Sequence, residues 1–195
     1  MKDYSAVALK EWAVVVRALR EGRQVLLLRK GGIEDDGGEF KVEQREFFLY
    51  PTYAHQNEVY VKPPYQQYFR EALAAQPGPG KVLIDTYAVV EGVLGTGDAA
   101  ALGRLDREHI WTAEHLGNRL NYRPKDPLRV LILRAYRLQE PVVMEDLPQY
   151  AGCRSWVPLV EEMKTWPSEP VLPDSAFLAR VEAARRVLMG DVGVR

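Results

Sequence analysis

One cysteine, three histidines and no long apolar run set the first limits on this chain of 195 residues. Cys153 alone cannot close an internal disulfide, which fits a reducing compartment. His55, His109 and His115 stand at no CxxC or HxxxH spacing, so no zinc motif is complete and neither metal nor cofactor is implied. The longest fully apolar stretches, 13–16, 25–28 and 130–133, are too short to cross a bilayer. No apolar run precedes Trp12, so the expectation is a cytoplasmic protein with no signal peptide and no membrane contact. With a formal charge of −1, no global field draws the chain to nucleic acid, although local patches still can.

What is present is an ordinary globular balance, 47% hydrophobic and 27% charged, in a chain long enough to bury a sizeable core. Ser5 is placed to cap a short helix through Lys10. The apolar run Trp12–Arg20 predicts a strand, turning at Glu21-Gly22 into a partner strand over Arg23–Arg29. Gly31-Gly32 and Glu34–Gly38 mark turns. Short strands are expected at Glu39–Val42 and Arg45–Tyr50, the second stopped by Pro51. An amphipathic helix follows over Pro64–Ala75, then a long strand over Lys81–Leu94. Thr112 caps a helix through Asn121, Leu128–Leu138 is the strongest strand, Pro141–Gly152 is irregular, and Ser155–Met163 adds a strand. Residues 1–165 are expected to form a single α+β domain, with 166–195 supplying a Pro-rich linker and a C-terminal helix packed on it. Strands with intercalated helices and no βαβ rhythm imply a mixed, largely antiparallel sheet curled into a partial barrel with flanking helices.

Short catalytic signals do not assemble. Glu39-Phe40-Lys41 has a nuclease-like Glu-x-Lys shape, but its neighbouring acids sit in one solvated turn instead of converging from separate strands. Cys153 could act as a nucleophile with His55 as base, Arg154 supplying positive charge; a buried, inert thiol is the alternative. Glu46 is a further candidate acid.

Charge is segregated more clearly. Between Arg119 and Arg137 six basic residues face Asp126 alone, interleaved with Tyr122 and Tyr136, and six more lie between Lys10 and Lys30. Such stretches can hold phosphates while aromatics stack on bases, or can simply be solvated strand edges. Arg134 shares strand parity with Val130, Ile132 and Tyr136, so its guanidinium needs either an internal acid or a ligand. The segment Tyr50–Gln56, with Trp111 and Trp156, offers apolar walls with a few directional polar groups, as a small-ligand or flipped-base pocket would. The candidate ligand-binding residues are therefore Arg29, Lys30, Tyr50, Tyr53, His55, Gln56, Trp111, Arg119, Arg134, Ser155 and Trp156.

Ala8–Trp12, Leu28–Ile33, Phe48–Gln56, Pro127–Leu138 and Tyr150–Val157 together resemble the bacterial domain-of-unknown-function family 1802 across nearly the whole chain. That resemblance implies an association with restriction-type nucleases, and so a place in DNA defence or modification. The element order also resembles PUA-like barrels of the EVE and ASCH type, which implies recognition of modified or flipped bases. The expectation is a module binding DNA, RNA or a nucleotide. A small hydrolase or nuclease using His55, Cys153 or Glu46 in the same pocket is the alternative.

Overall fold

The structure is a computed structural model describing residues 1–30, 42–152 and 154–189. Strands β1 (Tyr4–Trp12), β2 (Leu26–Arg29), β3 (Glu46–Thr52), β4 (Lys81–Thr96), β5 (Leu128–Glu145), β6 (Trp156–Lys164) and β7 (Ser168–Pro170) form one sheet. Its order is β2-β5-β4-β3-β1-β6, with β7 added to β5. Every pairing is antiparallel except β1 with β3. Helices α1 (Ala13–Arg20), α2 (Gln66–Ala74), α3 (Ala99–Arg104), α4 (Ala113–Asn121) and α5 (Asp174–Met189) flank it. The α+β class and the largely antiparallel, mixed sheet are as expected. Closure is not reached: β2 and β6 stand at opposite ends of the strand path.

The first two elements are exchanged relative to expectation. Residues 4–12 are a strand and 13–20 a helix. The run Ala13–Val16 is rich in β-branched residues, yet every position of α1 is buried except Arg17 and Arg20. A helix enclosed by a sheet and by a second helix is apolar nearly all round. It therefore shows the same two-sided apolar pattern as a covered strand. Ser5 does not cap a helix; β1 instead alternates, sending Leu9 into the core beneath α1 and Ala8 into a second cluster on the other face.

Prolines also sit inside strands. Pro141 lies in β5 where the register with β4 shifts between Ile84/Val142 and Thr86/Arg137. An unpaired bulge needs no ladder N–H from proline. Pro51 lies within β3, which pairs with β4 only from Glu46 to Phe48 but with β1 as far as Thr52. Beyond Phe48 the β4 side of β3 is unpaired, and a proline there costs the sheet little.

Two apolar clusters result. The larger joins α1, α2, α4 and α5 to one sheet face through Leu9, Phe47, Leu49 and Leu131. The smaller buries Phe48, Tyr50, Ile84, Tyr87, Tyr150 and Leu159 without any α-helix. The stretch 166–173 carries β7, whose Glu169 lies opposite Arg137, and α5 then buries Phe177, Val181 and Ala184 in the larger cluster. Glu39–Val42 was expected as a strand; Val42 is not in one, and 39–41 lie outside the described residues.

Candidate functional site

The separation of β3 from β4 beyond Phe48 opens the principal cleft, about 680 Å³ in volume. Tyr50, Pro51 and Thr52 of β3 line it together with Tyr53, Ala54 and, from β4, Lys81 and Val82; an unbroken ladder would have set Val82 opposite Tyr53 and Lys81 opposite Ala54. The end of β1 supplies Lys10, Glu11 and Trp12, and β2 supplies Leu28 and Arg29. The segment entering α4 contributes Trp111, and α4 itself His115, Leu116 and Arg119. Asp146, Tyr150, Arg154 and Ser155 come from the connection between β5 and β6. A smaller concavity of about 240 Å³, lined by Arg17, Arg20 and Asp85 among others, shares Pro51 and Tyr53 with it.

A polar cluster lies on one side of the cleft. Glu11 is buried, and its carboxylate accepts from the Trp12 N–H at 2.8 Å and pairs with Arg29 Nη1 at 3.1 Å. Arg29 also donates to the Lys10 carbonyl at 3.1 Å and, through Nη2, to the buried Ser155 hydroxyl at 2.5 Å. Arg119, in the last turn of α4, faces this pair. Burial holds its guanidinium below the usual arginine range, Arg29 depresses it further, and Glu11 opposes both. Lys10 Nζ donates to the carbonyls of Tyr150 and Gly152.

The adjoining part of the lining is aromatic. The rings of Trp111 and His115 are 4.4 Å apart and tilted by 30°, Trp12 meets Trp111 edge-on at 5.1 Å, and Tyr60 lies 4.9 Å from His115. Thr112 accepts from the His115 N–H at 3.3 Å, starting α4 where the sequence places it and turning His115 towards the cleft. Burial, and secondarily Arg119, lower the His115 pKa to about 4, so the ring is a neutral stacking surface at physiological pH. The Tyr50 hydroxyl donates to Asp146, and burial together with that carboxylate pushes its pKa upward.

Of the expected ligand-binding residues, Arg29, Tyr50, Tyr53, His55, Trp111, Arg119 and Ser155 converge on this cleft. His55 is exposed at its edge with φ of 58°, a left-handed conformation uncommon outside glycine. The others lie elsewhere. Lys30 is buried and donates to the Leu120 carbonyl at 2.7 Å, closing the C-terminus of α4. Gln56 folds back onto the Thr52 carbonyl. Trp156 packs edge-on against Phe47 at 5.0 Å. Arg134 pairs with Asp174 at the start of α5 and lies 4.8 Å from the Phe177 ring, so its partner is an internal acid outside the cleft.

Among the candidate catalytic groups, Glu46 does not line the cleft. Its carboxylate accepts from the Lys2 N–H at 2.7 Å and the Tyr87 hydroxyl at 3.1 Å. Cys153 lies outside the described residues. Among the described residues no group of three or more His, Cys, Asp or Glu is placed to hold a metal, and no helix is long and apolar enough to cross a membrane.

Sequence reasoning missed Lys10, Glu11, Trp12 and His115. Reading residues 4–12 as a strand beside Phe48–Thr52 would have delivered the first three.

A family model described as "Domain of unknown function (DUF1802)" matches residues 8–183. No curated protein matches the chain significantly. Among solved structures it is similar to the crystal structure of ASCH from Zymomonas mobilis, at 12% identity and a TM-score of 0.42, covering 91% of this chain and 93% of that one. A serine-to-alanine mutant of the same protein gives 12% identity and a TM-score of 0.45, covering 93% and 98%. Likeness at this level assigns no function.

Proposed function

We propose that this chain, which belongs to the DUF1802 family, is a nucleic-acid-binding module that seats a nucleotide unit in the β3/β4 cleft. One observation carries the reading: a single concavity combines a cationic side with a neutral aromatic wall. Its lining holds Lys10, Arg29, Lys81, Arg119 and Arg154 against Glu11 and Asp146, five positive groups to two negative. Beside them stand Trp12, Trp111 and the uncharged His115. Phosphates favour the first surface, and every base offers a π-face to the second. The volume suits one nucleotide-sized group, being within the range of about 300–1,000 Å³ usual for small-ligand pockets.

The chain's near-zero net charge does not oppose this, because the positive charge is concentrated where the concavity focuses its field. A restriction-type nuclease is the partner that the family resemblance implies; a module holding nucleic acid in this cleft would serve it as a targeting unit.

The test is fluorescence anisotropy of labelled short oligonucleotides, DNA and RNA, across a salt series. Binding is expected to weaken steeply as salt rises, with a logarithmic slope of about −0.7 for each phosphate neutralised on a single strand. A flat salt response, or no binding at low salt, would overturn the reading.

A further inference from the structure

Arg119 stands apart from the other arginines of the cleft. It is half-buried, yet among the described residues it makes no hydrogen bond or ion pair shorter than the ordinary limits, whereas Arg29 beside it is engaged by Glu11, Lys10 and Ser155. Glu11 gives one oxygen to Arg29 and the other to the Trp12 N–H, and neither is bonded to Arg119. A guanidinium carries five N–H donors, and none of the Arg119 nitrogens is sealed off without a partner, so they are open to an acceptor entering the cleft.

Helix geometry says where an anionic acceptor would lie. His115 and Arg119 are four residues apart on α4, so they occupy one helix face about 6 Å apart along the axis. That spacing places a charge anchor one turn beyond the ring platform, as a nucleotide places its phosphate beyond its base. Charge distribution narrows the anion further. Within a lining of five cations to two acids, the charged groups beside Arg119 are Arg29 and Glu11, a local +1 that one singly charged group neutralises, and a strand spreads further single charges along the rest.

We propose that Arg119 anchors a phosphate of the ligand, and that this group is the monoanionic internucleotide phosphodiester of a strand rather than the dianionic phosphate of a free mononucleotide. The inference rests on the nucleic-acid reading of the cleft and specifies its ligand.

The test compares wild type, Arg119→Gln and Arg119→Lys on a labelled thymidine tetranucleotide, once with natural phosphodiesters and once with uncharged methylphosphonate linkages. Arg119→Gln is expected to weaken the natural strand roughly 10- to 100-fold and to leave the methylphosphonate strand unchanged, as for a charge-assisted contact. Arg119→Lys should recover part of the loss, keeping charge without the planar fork. The methylphosphonate strand should also bind wild type more weakly than the natural one, an outcome that needs no variant to fold. Thymidine monophosphate and polyglutamate serve as unlabelled competitors, and both are expected to compete poorly. Equal affinity of wild type for the two strands would overturn the proposal, as would better competition by the mononucleotide or by the acidic peptide. Salt-sensitive binding that Arg119→Gln leaves intact would sink this proposal alone. Absence of strand binding by wild type would sink the nucleic-acid reading with it.

Discussion

Lowering the pH from about 7 to about 5 should cost the fold about 2 kcal/mol through His109 alone. The ring is 1% exposed, with Nε2–H donating to the Leu102 carbonyl at 3.2 Å and Nδ1 accepting from the Trp111 N–H at 3.3 Å. Protonation would put a hydrogen on Nδ1 and break the bond that holds the Trp111 backbone. Burial, and next the Lys62 ammonium, push its pKa down to about 4. A histidine in an unfolded chain titrates near 6.5, so between these values the unfolded state takes up a proton that the folded state refuses. The stabilisation is therefore complete above about pH 6.5, declines as pH falls through the window, and levels off near the folded value. Integration from about pH 7 to 5 gives the figure above, a sizeable share of the roughly 5–15 kcal/mol that holds a domain together. Urea denaturation followed by tryptophan fluorescence at the two pH values measures it, with His109→Asn as the control that cannot titrate. The variant should be less stable overall but should lose about 2 kcal/mol less between the two pH values. Equal pH losses in both proteins would refute the reasoning. His115, also lowered to about 4, contributes alike to both and cancels in the comparison.

Three further outcomes are expected. Trp111→Ala removes the ring between Trp12 and His115 and should weaken oligonucleotide binding roughly 5- to 100-fold by anisotropy, with the circular dichroism spectrum retained. Arg134→Ala should leave that affinity unchanged while lowering the urea midpoint by an amount equivalent to about 1 kcal/mol, because Asp174 is largely exposed and only the Phe177 contact is dry. At Glu46, burial taken alone would raise the pKa, but the Lys2 and Tyr87 hydrogen bonds and the N-terminal charge bring it below the usual glutamate range. Its stabilisation is thus present above the unfolded value and disappears as pH falls through the folded one. Glu46→Gln should flatten the acid limb of the stability curve measured by urea titration.

The elements legible in the sequence are those whose boundaries are local. Thr112 caps α4, Asp174 opens α5, and the alternation of Val82, Ile84 and the residues after them marks β4. The exchange of strand and helix at β1 and α1 was not legible, because what decides it is tertiary. Leu9 and Ala8 find partners on two sheet faces, and α2 covers the valines of α1. Proline misled for a related reason. Its missing N–H ends a strand only where a ladder bond is due, and at Pro51 and Pro141 none is. The cleft was half legible. Tyr50–His55 and Ser155 were identified from composition alone, whereas Lys10, Glu11 and Trp12 were hidden by the wrong assignment of the strand that carries them.

Linear charge density proved a poor guide to which arginines face a ligand, and the structure explains why. Several guanidiniums in the two basic stretches are fasteners between elements. Arg17 joins Glu21 and Glu71, Arg20 meets Asp85, Arg134 meets Asp174, and Arg137 donates to the Arg20 carbonyl. The same holds outside those stretches for Arg180, which ties α5 to Glu108 and to the Gly22 and Arg23 carbonyls. Each such residue has acceptors that the fold itself provides, so its charge is already matched. Arg119 has the burial of a fastener without, among the described residues, the acceptors of one, and it lines the cleft where β3 has left β4 beside a wall of rings. A fold of this size could have closed that gap by continuing the ladder past Phe48. The pairing instead passes wholly to β1, and the space left between the strands is where a cation that bonds no acceptor among the described residues meets an aromatic surface. Those two features are separable by experiment but share one structural origin, the early end of the β3/β4 ladder.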